Sequence, residues 1–129
     1  MIIDSSALLA ILLDEPGRRS LTEAIEADPR RLVSAGTLLE SAIVIESRRG
    51  EAGGRELDLL VHRAEIACVP VDAEQVQVAR VAWRRYGKGR HPAGLNYGDC
   101  FSYALARVAG EPLLFRGDDF ARTDVDPVL

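Results

Sequence analysis

Four short apolar runs interrupt a chain otherwise patterned for helices, and their order restricts the fold more than any other feature of the sequence. Met1-Ile2-Ile3 stops at Asp4 and leads through Ser5-Ser6 into a periodic stretch from Ala7 to Leu13, which reads as a buried strand, a serine cap and a helix. Residues 32–35 predict the second strand, 66–71 the third and 113–115 the fourth, with Pro70 marking a strand end or a sheet edge. Val125 to Leu129 predicts a short fifth strand.

Helices fill the intervals. Leu21, Ala24 and Ile25 form the apolar stripe of a helix from Arg18 to Ala27. A long helix runs from Gly36-Thr37 through Arg49, is punctuated by Gly50 and Gly53-Gly54, and gives way to another at about 55–65. Asp72 caps a helix reaching Tyr86, and Asn96-Tyr97-Gly98-Asp99 has capping-box spacing before a helix that Gly110 ends. Strand alternating with helix predicts one α/β domain over residues 1–129, with a largely parallel central sheet of four to five strands flanked by helices.

With 129 residues, 47% hydrophobic and 28% charged, the chain can hold one core without disulfides or structural metal. Cys68 and Cys100 lie in apolar stretches without metal-ligand spacing and are expected as core thiols. No leader pattern and no membrane-length apolar run is visible, so a cytoplasmic protein with no membrane contact is expected. The net charge of -4 excludes a surface that grips nucleic acid by overall charge. Arg80, Arg84, Arg85, Lys88, Arg90 and His91 nevertheless cluster, as a solvated helix face and loop or as a local nucleic-acid contact.

In a parallel sheet with right-handed crossovers, strand C-termini and helix N-termini share one edge, where ligands bind. Asp4 ends the first strand, Glu40 falls in the first turn after the second, Asp99 opens its helix, and Asp118-Asp119 follow the fourth strand. Singly, Asp4 or Asp99 could cap a helix and Asp118-Asp119 could form a turn. Glu40 is harder to explain that way, because Gly36, Thr37, Ile43 and Val44 surround it with a small, apolar helix surface. Two carboxylates about 5 Å apart repel by roughly 3 kcal/mol at an effective dielectric near 20, so a group of them calls for a cation. An all-oxygen set with His62 and His91 elsewhere suits Mg²⁺, or Mn²⁺ in its place.

The sequence resembles PIN-domain nucleases nearly end to end, and among them the VapC-type toxins of bacterial toxin-antitoxin pairs. The carriers are Met1 to Leu8 with Asp14-Glu15-Pro16, Glu40 with Ala42 to Glu46, Tyr86 to His91 leading to Leu95 through Cys100, and Leu113 to Phe120. The resemblance implies a single PIN-like domain and metal-dependent hydrolysis of RNA. It implies a metal site of Asp4, Glu40, Asp99 and one acid after the fourth strand, supported by Ser6 and Asn96. Many relatives have Thr-x-Asp or Thr-x-Asn where this chain has Phe115-Arg116-Gly117-Asp118-Asp119, so the fourth acid is read as Asp118, with Asp119 as the alternative. Arg84, Arg85, Lys88 and Arg90 would hold the RNA backbone. A protein antitoxin and a second copy of the chain are the implied partners.

Rival readings lack their marks. An aspartate phosphatase wants Asp-x-Asp where the chain has Asp4-Ser5-Ser6, and a receiver-like module wants paired acids there and a late Lys. Gly87-x-Gly89 follows a helix and lacks the third glycine of a dinucleotide fingerprint.

Overall fold

Ile2 and Ile3 belong to two different core clusters, as do Leu113 and Leu114, because successive side chains of a strand point to opposite faces of the sheet. In the computed structural model, which describes residues 1–129, these pairs form β1 (Ile2–Ile3) and β4 (Leu113–Leu114). With β2 (Leu32–Ser34) and β3 (Ala67–Val69) they make a four-stranded sheet in the order β3-β2-β1-β4, parallel throughout. The strand that carries Asp4 at its end is therefore interior, and its acid is surrounded by neighbours on both sides.

The helices are α1 (Ser5–Leu12), α2 (Arg18–Ala27), α3 (Ala35–Arg63), α4 (Ala73–Tyr86) and α5 (Tyr97–Ala109). One core cluster packs Leu8, Ile25, Ile45 and Leu57 against Ile3, Val33 and Leu114. The other packs Ala82, Tyr103 and Leu105 against Ile2, Leu113 and Phe120. No helix is long and apolar enough to cross a membrane.

Three expectations need correction. Gly53-Gly54 does not end a helix: the break is at Gly50 alone, at φ 65° and ψ -162°. A Cβ on Gly53 would lie 2.8 Å from the Ile45 carbonyl, so glycine there lets the second arm of α3 lie against the first. The fifth strand is absent, since the C-terminal segment makes only one bridge, Leu113 to Pro127. Cys68 is exposed, because β3 is an edge strand with little packed over it, whereas Cys100 is buried.

Candidate active site

Each acid is placed by the start of a helix at the C-terminal edge of the sheet. Asp4, 2% exposed, caps α1, and its main-chain N–H donates to the Leu114 carbonyl at 2.9 Å. Its Oδ2 accepts from the Ser6 N–H at 3.0 Å and from Ser6 Oγ at 2.7 Å. Its Oδ1 accepts only from Ser102 Oγ, at 2.6 Å. Thr37 Oγ1 lies 3.0 Å from the same Ser102 hydroxyl, and since that proton is committed to Asp4, Thr37 is the donor.

Glu40 lies in the second turn of α3, one turn further along than expected, and Ser5 Oγ donates to its Oε1 at 2.8 Å. The carboxylate lies on the first turn of α5, where a Cβ added to Gly98 would come 1.9 Å from Oε2. Asp99 completes the capping box: the Asn96 N–H donates to Asp99 Oδ2 at 3.0 Å, and the Asp99 N–H donates to Asn96 Oδ1 at 2.9 Å. Burial, with the charges of Asp4, Asp119 and Glu40 added, outweighs the Asn96 bond and pushes the Asp99 carboxyl up to about 7.

The structure thus brings Asp4, Glu40 and Asp119 within electrostatic reach of Asp99. Asp118 and Asp119 are both exposed, and the charge of Asp119 is one of those that raise Asp99. Asp119 precedes the 3-10 turn Phe120–Arg122 but makes no capping hydrogen bond, leaving its carboxylate uncommitted. None of these acids forms an ion pair with a Lys, Arg or His.

Asp4 Oδ1 keeps one lone-pair position, while Glu40 Oε2 and Asp99 Oδ1 accept no hydrogen bond. No three acidic, histidine or cysteine side chains lie close enough together to enclose a metal ion in this geometry. The donors are hard oxygens with no protein cation beside them, Glu40 and Asp99 held through one oxygen and Asp4 through both, so the residues present fit a divalent cation of the Mg²⁺ or Mn²⁺ kind.

A family model for the PIN domain matches residues 1–126. The chain belongs to the PIN-domain family. A curated relative, Ribonuclease VapC of Mycolicibacterium smegmatis, is 64% identical over 128 residues, with 99% of each chain covered. Ribonuclease VapC30 of Mycobacterium tuberculosis is 59% identical over 128 residues, covering 99% of this chain and 98% of the relative. Among solved structures, Mycobacterium tuberculosis VapC20, described as a toxin cleaving the sarcin-ricin loop, superposes with a TM-score of 0.77 at 16% identity, over 96% of this chain and 95% of that one. A toxin-antitoxin complex from Klebsiella pneumoniae gives 0.71 at 18% identity, over 95% and 92%. These two structural likenesses show the fold.

In this PIN domain the basic segment closes as a loop through a bridge between Gly87 and Leu95 and leads directly into Asn96. Arg90 lies over the Trp83 ring at 4.2 Å. Arg85 and Arg107 flank Asp124 at 3.8 and 3.7 Å. Arg84 and Lys88 form no ion pair, and none of the four loop cations pairs with an acid of the site. Sequence reasoning missed Ser5, Thr37, Gly98 and Ser102. Only Ser102 left a signal, as a polar residue three positions beyond Asp99 on the same helix.

Proposed function

We propose that this PIN domain is a Mg²⁺- or Mn²⁺-dependent endoribonuclease acting as the toxin of a bacterial toxin-antitoxin pair. The observation that carries the reading is the gathering of Asp4, Glu40 and Asp119 around Asp99 without a protein cation, with Glu40 Oε2 and Asp99 Oδ1 free of hydrogen bonds and one lone-pair position left on Asp4 Oδ1. The names of the curated relatives, ribonucleases at 64% and 59% identity, support the activity, and the toxin-antitoxin complex among the solved structures supports the pairing.

Asp4 and Asp99 would hold the ion, with Glu40 and Asp119 completing the acidic set and Asp118 as the neighbouring alternative to Asp119. When bound, the ion supplies Lewis acidity toward the phosphodiester and neutralises charge developing on it. Ser6 and Ser102 fix the Asp4 carboxylate, and the reciprocal Asn96–Asp99 pair fixes the second. The N-termini of α1 and α5 favour ionised acids at the same edge. Arg84, Arg85, Lys88 and Arg90 would hold the RNA backbone beside them.

A second copy of the chain is proposed to cover the apolar surface of α3, α4 and the start of α5, where Leu39, Ile43, Trp83 and Tyr97 are exposed at 62%, 60%, 44% and 81%. A monomer by light scattering at micromolar concentration would count against that partner. The activity is tested on total RNA with Mg²⁺ or EDTA. Cleavage that needs the metal and disappears in Asp4→Asn and Asp99→Asn is expected, and cleavage that persists in EDTA would sink the reading.

A further inference from the structure

Arg116 stands in the segment between β4 and the Asp118-Asp119 pair, and the acids leave it without a role. Its main-chain N–H donates to Ser6 Oγ at 3.0 Å, and that hydroxyl donates to Asp4 Oδ2 at 2.7 Å. Two hydrogen bonds thus fix its backbone relative to an acid of the site. Its guanidinium is held through Nη1 by Glu15. A groove of about 350 Å³ runs beside it, lined by Ser6, Leu9, Leu13, Glu15, Arg48 and Arg116 among others. Arg48, exposed on α3, forms no ion pair.

The groove therefore carries two guanidinium groups against one carboxylate, in a chain whose net charge is -4, and it shares Ser6 with the acid site. A guanidinium offers five donors in a planar fork, of which Glu15 occupies one, and the fork matches a phosphate. Both members of that pair are about two-fifths exposed, so the pair is weak enough to share its cation with an arriving anion.

We propose that Arg116, with Arg48 beside it, binds a phosphate of the RNA backbone next to the one being cleaved and so positions the strand over the acids. This rests on the ribonuclease reading. Glu15 is the residue that keeps the Arg116 side chain at the groove, and the contact is independent of the basic loop at residues 84–90. A backbone contact of this kind is indifferent to base identity, so it adds affinity and register and leaves sequence choice to other residues.

The test measures binding of short single-stranded RNAs by fluorescence anisotropy in Ca²⁺ across a salt series, with Mn²⁺ affinity and metal-dependent cleavage read in parallel. Arg116→Ala should weaken RNA binding by about threefold to tenfold, equally on oligo-U and oligo-A, and lower the slope of log K against log salt by about 0.7, the size of one single-strand phosphate contact. Adding Arg48→Ala should lower both further, and Arg116→Lys should restore part of the affinity. Mn²⁺ affinity should not move. An unchanged salt slope in the double variant overturns the proposal, as does a matching loss of Mn²⁺ affinity, which would mean that Arg116 acts only through Ser6 and Asp4. Unchanged RNA binding with loss of a protein partner would assign the groove to protein docking and overturn it too. Failure of the ribonuclease reading shows separately, as wild-type protein that cleaves no RNA with either metal.

Discussion

Ser102 Oγ donates to Asp4 Oδ1 at 2.6 Å across 98 positions of sequence. The bond joins α5 to the end of β1 and leaves the acid one lone-pair position on that oxygen. A hydrogen bond to a charged group is worth about 1.5–3 kcal/mol, and residues that orient metal ligands typically change metal affinity by about 10–100-fold. Ser102→Ala should accordingly weaken Mn²⁺ binding by about tenfold or more and lower the Tm. Ser102→Thr should recover much of the affinity if its methyl is accommodated. Titrations in which the alanine variant binds Mn²⁺ as tightly as wild type would remove Ser102 from the site.

Gly98 and Glu40 make a second dependence between helices. A methyl group on Gly98 would occupy the position of Glu40 Oε2, 1.9 Å away, and the side chain that must yield is the flexible end of a glutamate. The fold can absorb this more easily than the site can. Gly98→Ala should reduce RNA cleavage by about tenfold or more, as expected for displaced metal-site geometry, with a small change in Tm. Glu40→Asp in the same chain, shorter by one methylene, should relieve the clash. A Gly98→Ala protein with full activity would show that the Glu40 carboxylate does not need its present place.

These two relationships mark the boundary of what the sequence made legible. Asp4 and Asp99 could be read because a strand end and a capping box fix their positions locally, and parallel topology carries both to one edge. Ser102 left only its spacing from Asp99 on one helix and Gly98 left nothing, because their roles depend on how α5 packs against β1 and α3. Gly36, whose Cβ would meet the Phe101 ring at 2.6 Å, permits that close approach, and nothing near either residue in sequence announces it. Cys68 misled for a related reason: an apolar run predicts a strand but not whether the strand lies inside the sheet or at its edge. The glycines of α3 misled through their number, since only Gly50 adopts a left-handed conformation there, while Gly53 and Gly54 serve packing.

The Asp99 carboxyl, raised to about 7 by burial and by the charges of Asp4, Asp119 and Glu40, makes stability depend on pH in metal-free protein. Between the ordinary value of 3.8 and about 7 the folded state holds a proton that the unfolded state has released. Stability contributed by protonated Asp99 is therefore complete below 3.8, falls as pH rises through this window, and is gone above about 7. Asp99→Asn, which cannot ionise, should lose this component. The comparison is the Tm of EDTA-treated wild type and variant from pH 5 to 8, with the wild type falling more steeply. Because a divalent ion displaces the same proton, Mn²⁺ affinity of the wild type should rise with pH up to about 7 and then level. Parallel Tm curves for the two proteins would show that Asp99 does not titrate in this range.

Asp118 and Asp119 are adjacent and both exposed, so the choice between them rests on direction. The sequence reading favours Asp118 as the fourth acid, with Asp119 as the alternative; the place of Asp119 beside an aromatic suits it to cap the turn that follows. Phe120 does pack into the core at 3% exposure, but the Asp119 carboxylate makes no capping bond, and its charge is one of those acting on Asp99. We propose Asp119, which contributes no cap and lies within electrostatic reach of Asp99, as the fourth acid of the site. Asp119→Asn should therefore reduce cleavage by about tenfold or more, as expected for damage to a metal shell, and weaken Mn²⁺ binding. It should also leave the Tm of metal-free protein unchanged or slightly higher, since removing a like charge relieves repulsion on Asp99. Asp118→Asn, at an exposed position, should keep cleavage within about twofold of wild type, as is usual for surface substitutions. If Asp118→Asn abolishes cleavage in folded protein while Asp119→Asn stays active, the two must exchange roles, and binding of the metal would have to turn the loop at Gly117, whose φ of 102° is open to glycine, so as to bring Asp118 inward.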